Sequence, residues 1–291
     1  MSPQLPERFI RPFIKCPGGK RKVAHRITQC FTAPMRRYVE PFLGGGAVFF
    51  ALATRLPPEQ LDCVVLGDAD EDLIALYEAV RTNPYRLRHE THRIADHIGA
   101  HEEYRTERAR WNRGGRWRTP ARHLALRYAA FNGLWRVSLE GRMNTPWRKA
   151  PAVLPPLDVF EEAARVLRPC HLAPRSFRAY DAAKWGGLPL MREGTTVFID
   201  PPYLGGFVAY TQAGWTGADC VDLFKLMAKW SRQGAHVVMT HVEHPLIEEL
   251  VAKQWPDARI AEMPVARPIN SDGGGRQAVR ELIIYSGDRI S

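Results

Sequence analysis

Short apolar runs alternate along the chain with amphipathic stretches. Thr196-Val197-Phe198-Ile199 is one such run and stops at Asp200-Pro201-Pro202-Tyr203. A short continuous apolar run suits a strand covered on both faces. Two prolines then end the ladder, because neither donates a backbone hydrogen bond. Tyr38-Val39 leads likewise into Glu40-Pro41-Phe42-Leu43-Gly44-Gly45-Gly46, followed by a helical pattern to about Thr54. Val64-Val65-Leu66 ends in Gly67-Asp68-Ala69-Asp70. Further strands are predicted over 171–177, 236–241, 259–265 and 281–285, and helices over 23–31, 72–81, 153–169, 219–230 and 245–253. This alternation predicts a Rossmann-like, doubly wound, mostly parallel α/β sheet.

One segment breaks the pattern. From 83 to 156 the strand-like runs vanish and helical periodicity takes over, as at Leu124, Tyr128 and Phe131. It reads as a mainly helical insertion between two halves of a sheet, 1–82 and 157–291. Within it, Phe131-Asn132-Gly133-Leu134-Trp135-Arg136-Val137-Ser138 and the stretch to Lys149 read as a β-hairpin with a Glu140-Gly141 turn.

Composition adds little until charge is mapped. The chain has 291 residues, 45% hydrophobic and 25% charged, ordinary for a globular protein. No apolar run approaches the roughly 20 residues of a membrane span, and residues 1–11 do not form a secretory signal. Five scattered cysteines without a CxxC pair point to a reducing, cytoplasmic setting and no structural zinc. The net charge is +10. Residues 105–149 alone hold eleven Arg and one Lys against Glu107 and Glu140, also +10, so the remainder is close to neutral. Aromatic residues, among them Trp111, Trp117, Trp135 and Trp147, lie between these charges. A confined, arginine-rich excess favours phosphate contact and stacking, hence nucleic acid, over a merely solvated basic face.

The candidate chemistry sits where strands end, which is where open α/β sheets bind ligands. Asp200 and a proline-rich carbonyl can accept both hydrogens of a planar exocyclic amine, with Tyr203 on the ring face. Gly44, Gly45 and Gly46 let backbone approach a nucleoside-containing cofactor closely. Asp68, about twenty residues on, is placed to accept from ribose hydroxyls, while Asp70 suits the N-cap of the next helix. The loop Lys15-Cys16-Pro17-Gly18-Gly19-Lys20 is not a P-loop, since Ile14 and Arg21 stand where that motif needs Gly and Ser or Thr. It can still present amides to a carboxylate. Arg136 suits bidentate contact with guanine, and Leu134 or Pro146 a thymine methyl. Each feature has a plainer reading: a strand-ending turn, a ligand-free glycine turn, a small hairpin's own residues. His241 reads as a satisfied strand-end histidine rather than a catalyst.

Together these segments, with Pro268 to Arg276, resemble the Dam-type family of DNA adenine-N6 methyltransferases in their order from Phe13 to Tyr285. The resemblance implies S-adenosylmethionine as cofactor and double-stranded DNA as substrate, in a prokaryotic or phage-encoded protein acting as a monomer or as a dimer on DNA. It implies no metal. Cys16, Gly18, Gly19, Lys20, Glu40, Pro41, Phe42, Gly44, Gly46, Asp68, Phe177 and Asp200 fall at cofactor positions. Lys15, Phe131, Asn132, Leu134, Arg136, Pro146, Arg267, Asn270 and Arg276 fall at DNA positions, and Asp200, Pro201, Pro202 and Tyr203 form the catalytic corner. The implied target is GATC or a close relative; the alternatives are the same fold methylating another nucleobase amine, cytosine N4 or an RNA base, and a catalytically silent DNA-binding protein. The chain departs from the family pattern at Cys16, Ser138, Thr240-His241 and Ala266.

Overall fold

The computed structural model describes residues 9–16, 18–31, 34–203, 215–263 and 280–287. In chain order the elements are α1 (Ala24–Gln29), β1 (Arg37–Glu40), α2 (Ala47–Arg55), β2 (Cys63–Asp68) and α3 (Glu71–Thr82). Three helices follow: α4 (Pro84–Asp96), α5 (His101–Arg113) and α6 (Pro120–Ala129). Then come α7 (Leu157–Leu167), β3 (His171–Pro174), the short pair β4 (Lys184–Trp185) and β5 (Leu188–Pro189), and β6 (Thr195–Ile199). The chain continues through α8 (Gly217–Arg232), β7 (His236–Val242), α9 (Pro245–Gln254), β8 (Ala258–Met263) and β9 (Glu281–Ser286).

Seven strands form one sheet in the order β3-β2-β1-β6-β7-β9-β8. The first five are parallel; β9 runs antiparallel between β7 and β8. Both faces are covered, and the pleat sorts the apolar run accordingly. Phe198 packs into one core with Phe49, Phe50, Leu73 and Phe160 from α2, α3 and α7. Val197 and Ile199 pack into the other with Phe224, Trp230 and Ile247 from α8 and α9. That double burial is why β6 reads as continuous apolar sequence rather than alternation.

Caps set the helix starts. Asp70 accepts from Leu73 N at 3.1 Å, so its expected capping role holds. Asn83, Thr119 and His244 cap α4, α6 and α9, each directly before a proline at the first helical position. Proline also corrects two expected boundaries. The helix expected from 153 begins only at Leu157, after Pro155-Pro156, and the strand expected over 171–177 stops at Pro174. Residues 177–180 instead form a 3-10 turn. β4 and β5 are joined by Gly186-Gly187, both at positive φ (58° and 80°), a hairpin cue that the sequence carried in Trp-Gly-Gly-Leu.

The helices α4 and α6 pack on α3, α4 also on α7, and share the first core through Leu87, Leu124 and Tyr128, while α5 packs on α6. They also build a smaller cluster of Ile98, Tyr104, Trp111, Leu126, Trp135 and Met143. The expected hairpin is present as two isolated antiparallel bridges, Ala130 with Trp147 and Val137 with Met143, closed by Gly141 N donating to Ser138 O. Backbone bonds cross between the arms, from Ser138 N to Arg142 O and from Asn144 N to Arg136 O, and α5 holds the second arm as well. Asn112 bonds both the N and O of Met143 (2.9 and 3.0 Å), and Tyr104 and Arg108 donate to Thr145 O.

Candidate active site

The carboxyl ends of β1, β2 and β6 open into a single cavity of about 500 Å³, within the usual range for small-molecule sites. Every residue named above for the cofactor lines it, from Cys16 through Phe177 to Asp200, and so do Pro201, Pro202 and Tyr203. The structure therefore brings together five segments that are distant in sequence, around residues 16–20, 40–46, 68, 177 and 200–203.

The glycine turn after β1 is pinned from two sides. Asp68 Oδ2 accepts from Gly44 N at 3.0 Å, and Tyr77 donates to Gly44 O at 3.0 Å. Gly46 has φ of 65°, and a Cβ there would lie 2.8 Å from the Tyr77 hydroxyl, so only glycine starts α2 in this way. The Asp68 Oδ1 accepts from Asp70 N at 3.0 Å. Burial pushes the Asp68 carboxyl up to about 6, opposed by those two backbone donors. Glu40, at the end of β1, is buried and accepts from Tyr38 at 2.7 Å. Burial pushes it up to about 8.

An aromatic wall faces these acids. Phe42 and Phe177 stack at 5.6 Å, and Trp215 closes on both at 5.7 and 5.6 Å. Arg178 covers the outer face of Phe177 and is held by Asp219 and Asp222. Aromatic faces for a base, Asp68 for hydroxyls and Glu40 for an ammonium are a donor set that fits a nucleoside carrying an amino-acid tail.

The Asp200-Pro201-Pro202-Tyr203 corner follows β6. Lys20 Nζ lies 2.9 Å from Asp200 Oδ1 and 3.3 Å from Glu281 Oε1, and bonds the Tyr203 hydroxyl. Tyr203 also donates to Glu281 at 3.0 Å. Thr240 donates to Asp200 Oδ1 at 2.9 Å, so the threonine at this departure from the family pattern still serves the aspartate. His241 is fully buried, 4.9 Å from the Tyr203 ring, with Nδ1 2.7 Å from Val242 O. Burial lowers its pKa.

The DNA positions divide. Lys15 lies 4.8 Å over the Tyr128 ring, and its pKa is lowered, first by burial and then by Arg148 and Arg21. Phe131 is about half exposed and Asn132 has φ of 52°, so both sit at a strained, outward turn. Leu134 is half-buried, Pro146 exposed, and Arg136 bonds Asn144 Oδ1 at 2.7 Å. Arg267, Asn270 and Arg276 lie outside the described residues, as does Pro17. Sequence reasoning missed Arg127, Trp135, Trp215 and Glu281 as site residues. None has a local motif; each reaches the site only through the fold. Among the described residues, no group of three or more His, Cys, Asp or Glu is placed to hold a metal, and no helix is long and apolar enough to cross a membrane.

A seven-stranded sheet with one antiparallel strand slotted beside its last, and a cavity at the strand ends, is the fold of S-adenosylmethionine-dependent methyltransferases. Sequence comparison narrows the class. Residues 17–264 match the model of the D12 class N6 adenine-specific DNA methyltransferases, and the chain belongs to that family. A type II methyltransferase of Lactococcus lactis subsp. cremoris is 27% identical over 289 residues, covering 94% of this chain and 95% of its own. A type II methyltransferase of Methanocaldococcus jannaschii is 25% identical, covering 95% of this chain and 99% of its own. The DNA adenine methylase of Escherichia coli K12 is 26% identical, with 94% of each chain covered. The protein is thus an adenine-specific DNA methyltransferase that uses S-adenosylmethionine.

Proposed function

We propose that the chain methylates N6 of an adenine rotated out of double-stranded DNA, at GATC or a close relative. The observation that carries this reading is the common cavity: Asp200 to Tyr203 face the same space as Glu40, Gly44 and Asp68. Residues 1–82 and 157–291 form the catalytic unit on this reading, and 83–156 reads the target.

Bound S-adenosylmethionine supplies an electrophilic methyl group. The residues of this chain hold it and present the amine. Phe42, Phe177 and Trp215 enclose its base, Asp68 takes ribose hydroxyls, and Glu40 and Lys20 receive the charged amino-acid end. N6 lies within a duplex, so the base leaves the stack at a cost of a few kcal/mol. Asp200 and the Pro201 carbonyl accept the two N6 hydrogens, and Tyr203 packs on the ring. This leaves lone-pair density on N6 aimed along the transfer line, and positioning supplies much of the acceleration. The N6 proton passes to solvent after transfer.

Phe131 and Asn132 fill the duplex around the vacated base. Arg136 and Lys15 read guanines, and Leu134 and Pro146 read the base pairs between them. The exposed, outward placement of Phe131 supports an insertion role. The test is sequencing of DNA from cells expressing the protein, with N6-methyladenine detection. Modified adenines spread over unrelated tetranucleotides would sink the site assignment. Modified cytosines instead would sink the base assignment.

A further inference from the structure

Arg127 is an arginine with an unusual position. It lies in the last turn of α6, is 4% exposed, and lines the cofactor cavity. Its guanidinium is divided among three parts of the molecule. Nε donates to His123 Nε2 at 2.8 Å. One terminal nitrogen reaches Cys16 Sγ at 3.6 Å, on the loop that edges the cavity, and the other stands 4.0 Å from Asp70. The planar face lies 4.9 Å from the ring of Trp135.

Trp135 is itself 4% exposed, also lines the cavity, and sits between Leu134 and Arg136. Its ring packs on His123 at 4.1 Å and on Trp111 at 5.2 Å. His123 is fully buried. Because its Nε2 accepts from Arg127, its proton resides on Nδ1, facing Asp72 O at 3.2 Å. The imidazole thereby joins Arg127 to the first turn of α3, the helix that Asp70 caps. A planar cation fits this role, since it can stack and donate in several directions at once.

We propose that Arg127 is a positioning residue that couples cofactor binding to target reading. One guanidinium forms part of the cavity wall and the support beneath the reader hairpin. A ligand that fixes the Cys16, Asp68 and Asp70 side of the cavity fixes Arg127, and with it Trp135 and the residues flanking it. By reciprocity, correct DNA on the hairpin fixes the same wall for the cofactor. The inference rests on the reading that Leu134 and Arg136 contact DNA bases.

The experiment measures the Kd of a short duplex carrying the methylated site, with and without saturating S-adenosylhomocysteine. This probe fills the cofactor site without transferring methyl. In the wild type the ratio of the two Kd values is expected near tenfold, inside the usual span of coupling between sites. Arg127→Met is expected to bring the ratio to about one, while Arg127→Lys, which keeps charge but loses the planar fork, retains part of it. Trp135→Phe keeps a ring in place and is expected to lower the ratio about threefold; it decides the matter if Arg127→Met does not fold. A wild-type ratio of one overturns the proposal, as does an unchanged ratio in folded Arg127→Met or, failing that, in Trp135→Phe. Arg136→Ala separates the underlying reading: unaltered site preference in that variant removes the base-reading assignment, whatever the Arg127 ratios are.

Discussion

The corner at 200–203 and the hairpin over 131–149, proposed above for catalysis and target reading, are built by different means. At the corner, backbone does most of the placing. Asp200 follows a strand locked between two parallel neighbours, with side chains 0 to 1% exposed from Val197 to Ile199. In the 131–149 hairpin, side chains share the placing with a sparse backbone pairing. Its second arm is bonded by Asn112, Tyr104 and Arg108 of α5, and its cross-arm backbone bonds cluster around two isolated bridges. A reaction needs its groups fixed to a fraction of an ångström, whereas sequence reading tolerates exchange of contact residues. The sheet suits the first demand and the sparsely paired hairpin the second.

The contrast can be broken at the corner first. Asp200→Ala is expected to cut methyl transfer on the order of a thousandfold while DNA binding persists. Single-turnover transfer and a gel-shift assay on the same preparation test both halves, and unchanged transfer would remove Asp200 from the mechanism. Next in size is stability. Phe224→Ala opens a fully buried site under the sheet and is expected to cost about 3 kcal/mol or more in denaturant unfolding. Tyr104→Phe removes one of the two donors to the Thr145 carbonyl and leaves that of Arg108, at a cost of about 1 kcal/mol. Hydrogen exchange should show the second loss in α5 and the hairpin while β6 and β7 keep their protection. Equal loosening of the sheet would mean that the two regions unfold as one.

Arg136→Ala should leave the corner intact and reduce discrimination at one base pair by about 1–3 kcal/mol, read from methylation rates on single-substituted duplexes. The smallest effect concerns pH. Burial raises Glu40 to about 8 and Asp68 to about 6, both above their unfolded values. The folded state therefore binds the extra protons. Their contribution to stability is present at low pH and declines as pH rises through about 6 for Asp68 and about 8 for Glu40. A cationic cofactor tail favours ionised Glu40, so S-adenosylhomocysteine affinity should rise with pH toward neutrality, by at most about tenfold per unit. A flat calorimetric profile would place the tail elsewhere.

Much of the corner was legible because its signals are local. A buried strand, its terminating prolines, a glycine turn and a capping aspartate each occupy a few consecutive residues. Asp70 is the clearest case, since the cap bond is to a residue three positions on. Glu281 shows the limit. The strand that it opens was readable, but its bonds to Lys20 and Tyr203 span 261 and 78 residues and depend on β9 entering beside β7. Arg127 was counted as one of many charges in a basic run. Its burial against Trp135 and Cys16 follows from helix packing that no spacing encodes. The hairpin was legible from its Glu-Gly turn and is present, while the side chains of α5 that brace its second arm were not legible from any local signal.

The pairing of β8 with β9 has one more effect. Glu281 is the register partner of Met263 in β8 and of Val242 in β7, so strand backbone holds it from both sides where it meets Lys20 and Tyr203. Its carboxylate cannot shift along the sheet without shearing two pairings at once, which makes β9 a fixed anchor for the Lys20–Tyr203 network.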